Sequence, residues 1–279
     1  MKIIHFCAGL EGWNGMANTA RQFVAEETAV GHDSQLTINP AEVVKGVDVV
    51  HIHGAWLPIL WKVAKKAKRI GAKLIVRPAG SYDPVRLNFH GWKKRLVAPF
   101  EHAMLNRADV VQATCKAERR WICDYHPKAR IELTDLKRFF RLKAMTPTEF
   151  HQPLHLLYLG RRHPLKGVEY LENAVAGMQD VELRIVSNAF GEEKEKVWSW
   201  CDVLVLPTLS ENFGRVVAEA LERGKRVVTT DGAPVWEGQP GVTYLKGYVA
   251  ATPRRRVEMI ARAVANMLEN PAKATSVAG

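Results

Sequence analysis

Two glutamates with seven residues between them, Glu211 and Glu219, are the side chains whose spacing most suggests chemistry. Residues 202–206 are short, apolar and rich in valine, which predicts a buried strand, and residues 213–222 have the apolar spacing of a helix packed on a sheet. The turn between them lies at the carboxyl end of a strand, where helix N–H groups at about residues 212–214 can bind phosphate. If the segment is largely helical, the carboxylates lie about 12 Å apart along the axis. That separation is close to the reach of a nucleotide-sugar from its sugar ring to its ribose.

The rest of the chain alternates strands with helices, which predicts an α/β fold with two doubly wound parallel sheets. In the first unit we expect strands at residues 2–8, 47–53, 73–76 and 110–114 and helices at about 17–30 and 60–70. In the second unit we expect strands at residues 155–160, 181–186, 203–206 and 226–230, a helix from about 167 and another over about 252–268. Pro147 and Pro153 mark the linker, so the predicted domains are residues 1–150 and 151–279.

The segment around the two glutamates resembles the donor-site signature of the family 4 retaining glycosyltransferases. The likeness is carried by the E-x7-E pattern with Gly214, by AEAL at residues 218–221 and by GKRVVT at residues 224–229. The resemblance implies the GT-B fold, in which two Rossmann-like domains face a cleft. Only one helix fits between residues 186 and 201, where family members usually have an additional strand and helix, so we expect a reduced second domain.

The resemblance also implies roles for individual residues. Glu211 would hold hydroxyl groups of the donor sugar, and Glu219 would hold the ribose. Residues 159–167, LGRRHPLKG, resemble the strand-end turn whose Arg161 and Lys166 hold the donor pyrophosphate. Two cations and a helix dipole can stabilise a leaving diphosphate, and the chain has no D-x-D motif, so no metal cofactor is expected. The implied catalytic residues are Glu211, Arg161 and Lys166, and the implied donor-binding residues are Gly15, Arg161, Lys166, Asn212, Phe213, Gly214 and Glu219.

The N-terminal half resembles the acceptor domain less specifically. Its Gly-rich turn at residues 12–16 follows the first strand, and residues 77–84 resemble a second acceptor-side loop in which Ala79 replaces the His or Arg of many members. The implied acceptor-side residues are His53, Ser81 and Asp83. His51 and His53 share one face of a strand, which formally suits a metal. No third ligand is nearby in sequence, so we expect a hydrogen-bonded His51 and a His53 in the substrate cleft.

Charge divides unevenly along the chain. Residues 1–150 carry 24 Lys and Arg against 14 Asp and Glu, a net charge of +10 out of +11 for the whole chain. Basic segments with aromatic residues, such as residues 92–97 and 119–121, suit an anionic membrane surface, although each also suits an ordinary solvated face. Nucleic acid is the rival polyanion, and we disfavour it because no recognised binding module is present.

Composition limits the remaining possibilities. The chain has 279 residues, 47% of them apolar, and four scattered cysteines without disulfide or zinc spacing, and its start predicts a strand rather than a signal peptide. We therefore expect a cytoplasmic enzyme, peripheral on the inner face of a membrane, that moves a sugar from a nucleotide-diphosphate sugar to a lipid-linked or anionic glycan in surface polysaccharide synthesis. The alternative is a non-catalytic nucleotide-sugar-binding or scaffold protein. The sequence leaves open the base, the sugar, the acceptor hydroxyl, the catalytic base and the oligomeric state.

Overall fold

The computed structural model describes residues 1–10, 15–143, 150–187 and 189–269, and over these ranges strands and helices alternate as predicted. The strands are β1 Lys2–Cys7, β2 Asp33–Thr37, β3 Val49–His53, β4 Lys73–Arg77, β5 Val110–Ala113, β6 Ile131–Leu133, β7 Leu154–Leu159, β8 Val181–Val186, β9 Val203–Leu206, β10 Arg226–Thr230 and β11 Val242–Leu245. The helices are α1 Gly15–Ala29, α2 Pro58–Arg69, α3 Pro84–Asn88, α4 Gly91–Arg107, α5 Lys116–Tyr125, α6 Val168–Val175, α7 Gly191–Trp200, α8 Arg215–Glu222 and α9 Pro253–Glu269. The α/β prediction is therefore confirmed.

Contacts divide the chain into two units, Met1–Asp135 and Leu136–Gly279, whereas the sequence placed the division after residue 150. Residues 136–143 belong to the second unit because they bind α8 and the loop before it. The Phe140 ring stacks on Phe213 with centroids 5.6 Å apart, and the Arg141 N–H donates to the Glu222 carboxylate at 2.9 Å. The predicted linker residue Pro147 lies outside the described residues.

The new division reduces the predicted charge asymmetry. Residues 1–135 carry 20 Lys and Arg against 13 Asp and Glu, and residues 136–279 carry 20 against 16. The net charges are therefore +7 and +4, because four cations of residues 136–143 and one acidic residue, Glu149, belong to the second unit. A basic first unit remains, but the second unit is not nearly neutral.

The first unit contains a parallel six-stranded sheet in the order β2-β1-β3-β4-β5-β6. Its buried core combines the apolar strand residues with one face of α2, including Leu60 and Val63. From β1 the chain moves to β2 on one side and then returns to β3 on the other. The strand order therefore reverses between β1 and β3, and this is the point at which open α/β sheets form ligand crevices.

The second unit contains a parallel five-stranded sheet in the order β11-β10-β9-β7-β8. Here the order reverses between β7 and β9. The carboxyl ends of these two strands lead into the turns at residues 160–167 and 207–214, which contain most of the predicted donor-site residues. The fold thus brings two segments about 50 residues apart in sequence to the same edge of the sheet.

Gly167 joins these two turns. Its φ of +60° is in the left-handed region, and a Cβ atom there would lie 2.3 Å from the backbone oxygen of Pro207. The neighbouring Leu165 oxygen accepts hydrogen bonds from the Leu209 N–H at 2.8 Å and from the Thr208 hydroxyl at 3.0 Å. The contact leaves no room for a side chain, so residue 167 must be glycine for the turns to meet.

Replacement of Gly167 by alanine should therefore destabilise the second unit much more than an equivalent replacement elsewhere. Gly247 is the matched control, because its φ is +76° but nothing lies within 4 Å of the added Cβ. We expect Gly247→Ala to cost about 1–2 kcal/mol through the left-handed backbone alone. Gly167→Ala should cost at least about 3 kcal/mol, since overpacking adds to that strain. Denaturant unfolding measures both, and equal losses would contradict the close approach.

Candidate active site

Lys166 and Glu211 form an ion pair at the point where the second sheet reverses its order. Lys166 ends the short helical turn Pro164–Lys166 after β7, and Glu211 lies in the loop after β9. Both side chains are about one-fifth exposed, at 21% and 19%. The Glu211 N–H donates to the Gly232 oxygen at 2.7 Å, which connects this loop to the turn after β10. The structure therefore pairs Glu211, which the resemblance assigns to the donor sugar, with Lys166, which it assigns to the donor pyrophosphate.

Glu211 precedes α8, which begins at Arg215 rather than at residue 213 as predicted. Gly214 adopts a φ of +66°, and the Phe213 oxygen accepts a hydrogen bond from the Trp236 indole, so the chain turns here before becoming helical. The largely helical path assumed between Glu211 and Glu219 is therefore wrong, and the separation derived from it does not apply. The Asn212 N–H, expected to face an anion, donates to Glu211 Oε1 at 3.2 Å.

Glu219 also has a lysine partner, which the sequence did not predict. Its carboxylate lies 2.7 Å from the Lys194 Nζ of α7, and the two side chains are 17% and 28% exposed. Arg223, just after α8, pairs with Glu195 at 2.5 Å and lies over the Trp198 ring, so side chains within α8 and just after it contact α7. Lys194 stands in a charged run typical of a solvated helix, and no local signal marks its contact with Glu219.

The two arginines of the turn after β7 differ in their surroundings. Arg161 is exposed, and its backbone oxygen accepts a hydrogen bond from the Tyr158 hydroxyl at 2.9 Å. Burial and the nearby Glu211 carboxylate raise the pKa of the Tyr158 phenol, so this donor stays protonated. Arg162 is also exposed and makes two hydrogen bonds to Glu172 of α6, at 2.6 and 3.0 Å. Arg162 therefore pairs with a residue of α6 rather than with another residue of its own turn.

Two buried glutamates of the first unit hold strained loops at the carboxyl ends of β3 and β4. Trp56 has a φ of +67° and Ala79 a φ of +55°, a region that bulky residues rarely adopt. The Trp56 N–H donates to Glu101 Oε2 at 3.0 Å, and the Gly80 N–H donates to Glu118 Oε1 at 2.6 Å. Such strain is concentrated at functional sites, which makes these loops candidates for binding a substrate.

The predicted acceptor-side residues Ser81 and Asp83 lie in the second of these loops. The Ser81 hydroxyl is part-buried and donates to the Pro78 oxygen at 2.5 Å. Asp83 is buried and caps α3 by accepting a hydrogen bond from the Val85 N–H at 2.9 Å. Both side chains thus help to shape the loop, and their contact with an acceptor stays a prediction. Gly15 begins α1, whereas residues 12–14 of the predicted Gly-rich turn lie outside the described residues.

The histidines of β3 have a third partner, His5 of β1, which pairs with His51 across the sheet. All three imidazoles are buried. Both ring nitrogens of His53 are bonded, to Arg77 at 3.1 Å and to His5 at 2.9 Å, whereas His51 Nε2 has no hydrogen-bond partner among the described residues. The structure thus reverses the expected surroundings, because His53 is enclosed and His51 is the less satisfied residue. A contact of His53 with an acceptor stays a prediction.

The hydrogen bonds determine which nitrogens carry protons. The Arg77 Nε–H donates to His53 Nδ1, so the His53 proton is on Nε2 and donates to His5 Nδ1. The His5 Nε2–H then donates to the Glu27 carboxylate at 2.8 Å. A metal on His53 Nε2 would require a proton on Nδ1, directly opposite the Arg77 N–H. These residues therefore fit a neutral hydrogen-bonded chain and do not fit a metal site.

Two successive family models match the chain, the glycosyl transferase 4-like domain over residues 41–134 and the glycosyl transferases group 1 over residues 140–270. Together with the two parallel sheets they define a protein of the GT-B class. The chain belongs to the group 1 glycosyltransferase family, as its motifs predicted. The boundary between the two matches lies within a few residues of the division that the contacts show.

Solved structures share this fold at low sequence identity. Sucrose-phosphate synthase from Thermosynechococcus elongatus is 15% identical, with a TM-score of 0.74 over 99% of this chain and 92% of that chain. Anabaena Alr3699/HepE in complex with UDP-glucose is 16% identical, with a TM-score of 0.72 over the same shares. The lipopolysaccharide outer core galactosyltransferase WaaB is 15% identical, with a TM-score of 0.63 over 98% of this chain and 92% of that chain.

A curated relative comes from Klebsiella pneumoniae and is described as an uncharacterized 41.2 kDa protein in the cps region. It is 23% identical over an alignment of 224 residues, and the match covers 68% of this chain. The match spans 62% of the length of that relative.

The buried histidines should make the first unit less stable in acid. Burial lowers the pKa of His51 and of His53 well below 6.5, with further contributions from neighbouring histidines and Arg77. The unfolded chain takes up protons below about pH 6.5 that the folded chain does not. The free energy of unfolding should therefore be constant above about pH 7.5. Below about pH 6.5 it should fall by up to about 1.4 kcal/mol per pH unit for each histidine.

Denaturant unfolding between pH 5.5 and 8 measures this dependence. His51→Gln removes one of the two groups and should reduce the slope, whatever its effect on absolute stability. A free energy of unfolding that does not change over this range would contradict the neutral, enclosed state of both rings.

Proposed function

We propose that the protein transfers a sugar from a nucleotide-diphosphate sugar, with retention and without a metal, to a lipid-linked or anionic glycan in surface polysaccharide synthesis. The observation that carries the proposal is the Lys166 and Glu211 ion pair at the strand reversal of the second sheet, and a second pair, Lys194 and Glu219, joins the two helices that flank β9 in the chain. Two lysine and carboxylate pairs at one edge of the sheet can exchange their partners for the phosphates and hydroxyls of such a donor.

The donor diphosphate would take the place of Glu211 beside Lys166. In the structure the charge of Lys166 is balanced by that carboxylate, and a diphosphate offers a stronger anion with more acceptor atoms. Glu211 would then be released to accept hydrogen bonds from the sugar hydroxyls. Arg161, exposed in the same turn, adds a second cation for the phosphates, and Glu219 remains for the ribose.

In the proposed reaction, the bond between the anomeric carbon and the phosphate oxygen breaks while the acceptor oxygen bonds to that carbon on the same face. The acceptor hydroxyl gives its proton to an oxygen of the departing phosphate, so no separate protein base is needed. The nucleoside diphosphate leaves with its charge stabilised by Arg161, Lys166 and the N-terminus of α8. The protein contributes positioning and charge stabilisation.

The first unit is proposed to bind the acceptor. Its support is the pair of strained loops that Glu101 and Glu118 hold in place, with Ser81, Asp83 and His53 nearby in the chain. The relatives point in the same direction, because one is a lipopolysaccharide galactosyltransferase and another is a protein of a cps region.

A membrane partner is supported by a stripe on α4, formed by Trp92, Leu96 and Phe100. These side chains lie four residues apart and are 63%, 69% and 58% exposed, which is unusual for such large apolar groups. Residues 49–100 carry 11 Lys and Arg against one acidic residue, Asp83, which is buried. Apolar side chains surrounded by cations suit an anionic bilayer surface. Among the described residues, no helix is long and apolar enough to cross a bilayer.

The non-catalytic alternative differs in turnover. A binding or scaffold protein would saturate with the nucleotide-sugar, whereas an enzyme must release nucleoside diphosphate when an acceptor is present. A nucleic-acid-binding protein would instead show strongly salt-dependent binding to any duplex and no dependence on Glu219.

The donor site is tested with UDP-glucose, GDP-mannose, ADP-glucose and dTDP-rhamnose in EDTA. We expect one donor class to raise the melting temperature, and to release nucleoside diphosphate when a membrane glycolipid extract is added. Glu219→Ala should lower kcat/KM roughly hundredfold, since a lost charge-assisted contact costs about 1.5–3 kcal/mol.

Glu258→Ala is the control, because Glu258 also pairs with basic residues, Arg254 and Arg255, but all three belong to α9 and none belongs to the turns of the candidate site. It should leave donor binding unchanged. If no donor shifts the melting temperature of the wild-type protein, the proposed donor site is wrong; if donors bind without release of nucleoside diphosphate, the scaffold alternative is favoured.

The α4 stripe is tested with sedimented vesicles of phosphatidylcholine with and without phosphatidylglycerol. Wild-type protein should bind the anionic vesicles more tightly, and Trp92→Ala combined with Leu96→Ala should weaken that binding by about tenfold or more, because two apolar side chains lose their contact with lipid. Leu133→Ala removes an exposed leucine of β6, 49% exposed, and should have no effect. Equal binding to both vesicles by all variants would contradict the membrane surface.

A further inference from the structure

Phe190 is an exposed aromatic residue in a position where a polar residue is favoured. It is the N-cap of α7, its side chain makes no capping hydrogen bond, and it is 51% exposed. Ser, Thr, Asp or Asn at an N-cap stabilises a helix by bonding a free N–H group, which a phenyl ring cannot do. Neither helix capping nor core packing explains the phenyl ring.

The position of α7 places Phe190 at the edge of the sheet that carries the candidate active site. The preceding strand, β8, pairs with β7, and Val186 at its carboxyl end lies opposite Leu159. The Gly160 N–H donates to the Val186 oxygen at 2.9 Å, so the end of β8 is bonded directly to the start of the Arg161 and Lys166 turn. Phe190 follows Val186 by four residues and immediately precedes α7.

Phe190 is also one helical turn from Lys194, the residue that contacts Glu219. The Lys194 N–H donates to the Phe190 backbone oxygen at 3.4 Å, which closes the first turn of α7. Because Lys194 Nζ reaches the Glu219 carboxylate at 2.7 Å, Phe190 lies on the same first turn of α7 as the lysine that pairs with the proposed ribose contact. The nucleobase of a nucleotide-sugar is bonded to the ribose, so a residue near the proposed ribose contact is in a position to meet the base.

We infer that Phe190 is the stacking surface for the nucleobase of the donor. The inference rests on the proposed donor site and adds the base-binding residue to it. Stacking on an aromatic ring depends on the π-face that every base has, so Phe190 contributes affinity without selecting the base. The selection of the base must then come from hydrogen-bonding groups elsewhere. The exposure of the ring in the structure leaves its face available to a base.

Calorimetry with two kinds of ligand tests this inference. The first kind is UDP, GDP, ADP and dTDP, of which the tightest binder is used, and the second is ribose 5-diphosphate, which lacks a base. Phe190→Ala should raise the Kd for the nucleoside diphosphate about tenfold and change the Kd for ribose 5-diphosphate less than twofold. Phe190→Tyr keeps an aromatic face and should bind as the wild type does. Leu133→Ala, which removes a similarly exposed apolar side chain from the first unit, should change neither Kd.

The outcomes separate this inference from the proposed function. If wild-type protein binds a nucleoside diphosphate and Phe190→Ala binds it equally well, the stacking role is wrong while the donor site stands. If Phe190→Ala weakens both ligands equally, the ring supports the local structure and the inference is also overturned. If the wild-type protein binds none of the four nucleoside diphosphates, the proposed donor site fails and this inference fails with it.

Discussion

The contact between Gly167 and the Pro207 oxygen is the constraint on which the candidate active site depends. It joins the turn after β7 to the turn after β9 at a separation that excludes any side chain. Lys166 immediately precedes Gly167 in the chain, and Glu211 follows in the loop that begins at Pro207, so the two charged groups meet because the two backbones meet. The helix that begins after Gly214 then sets the direction in which Glu219 points towards α7.

Much of the fold is predictable from local sequence, and the exceptions share a physical cause. The buried strands Val203–Leu206 and Arg226–Thr230 have the predicted bounds, since runs of apolar or β-branched residues define their ends. The sequence does not predict Asp33–Thr37, Ile131–Leu133 or Val242–Leu245. Each of these is a short strand at an edge of its sheet, and Asp33–Thr37 and Ile131–Leu133 also lie mostly outside the core, so no apolar run marks them. The contacts divide the units after residue 135 rather than after residue 150, because Phe140 and Arg141 contact Phe213 and Glu222 of the second unit, which no local pattern indicates.

In the candidate site, too, local sequence predicts some residues and tertiary contacts determine the others. Arg161, Lys166, Glu211 and Glu219 are recognisable because they belong to motifs next to strand ends. Lys194 and His5 are not, since each reaches its partner only through packing of a different element, α7 against α8 and β1 against β3. Local patterns report which residues share a turn or a strand face. They do not report which charge on a neighbouring helix will balance a given carboxylate.

The chain of hydrogen bonds from Arg77 through His53 and His5 to Glu27 has only one permitted direction. Arginine can only donate and an ionised glutamate can only accept, so each ring between them must accept on one nitrogen and donate from the other. Suppose that one of these residues is replaced by a side chain that accepts where the original donated, or donates where it accepted. Two donors or two acceptors then face each other in the buried interior, and neither can form its hydrogen bond. We therefore expect these four residues to be inherited together, so that related sequences keep the whole set or change it as a whole.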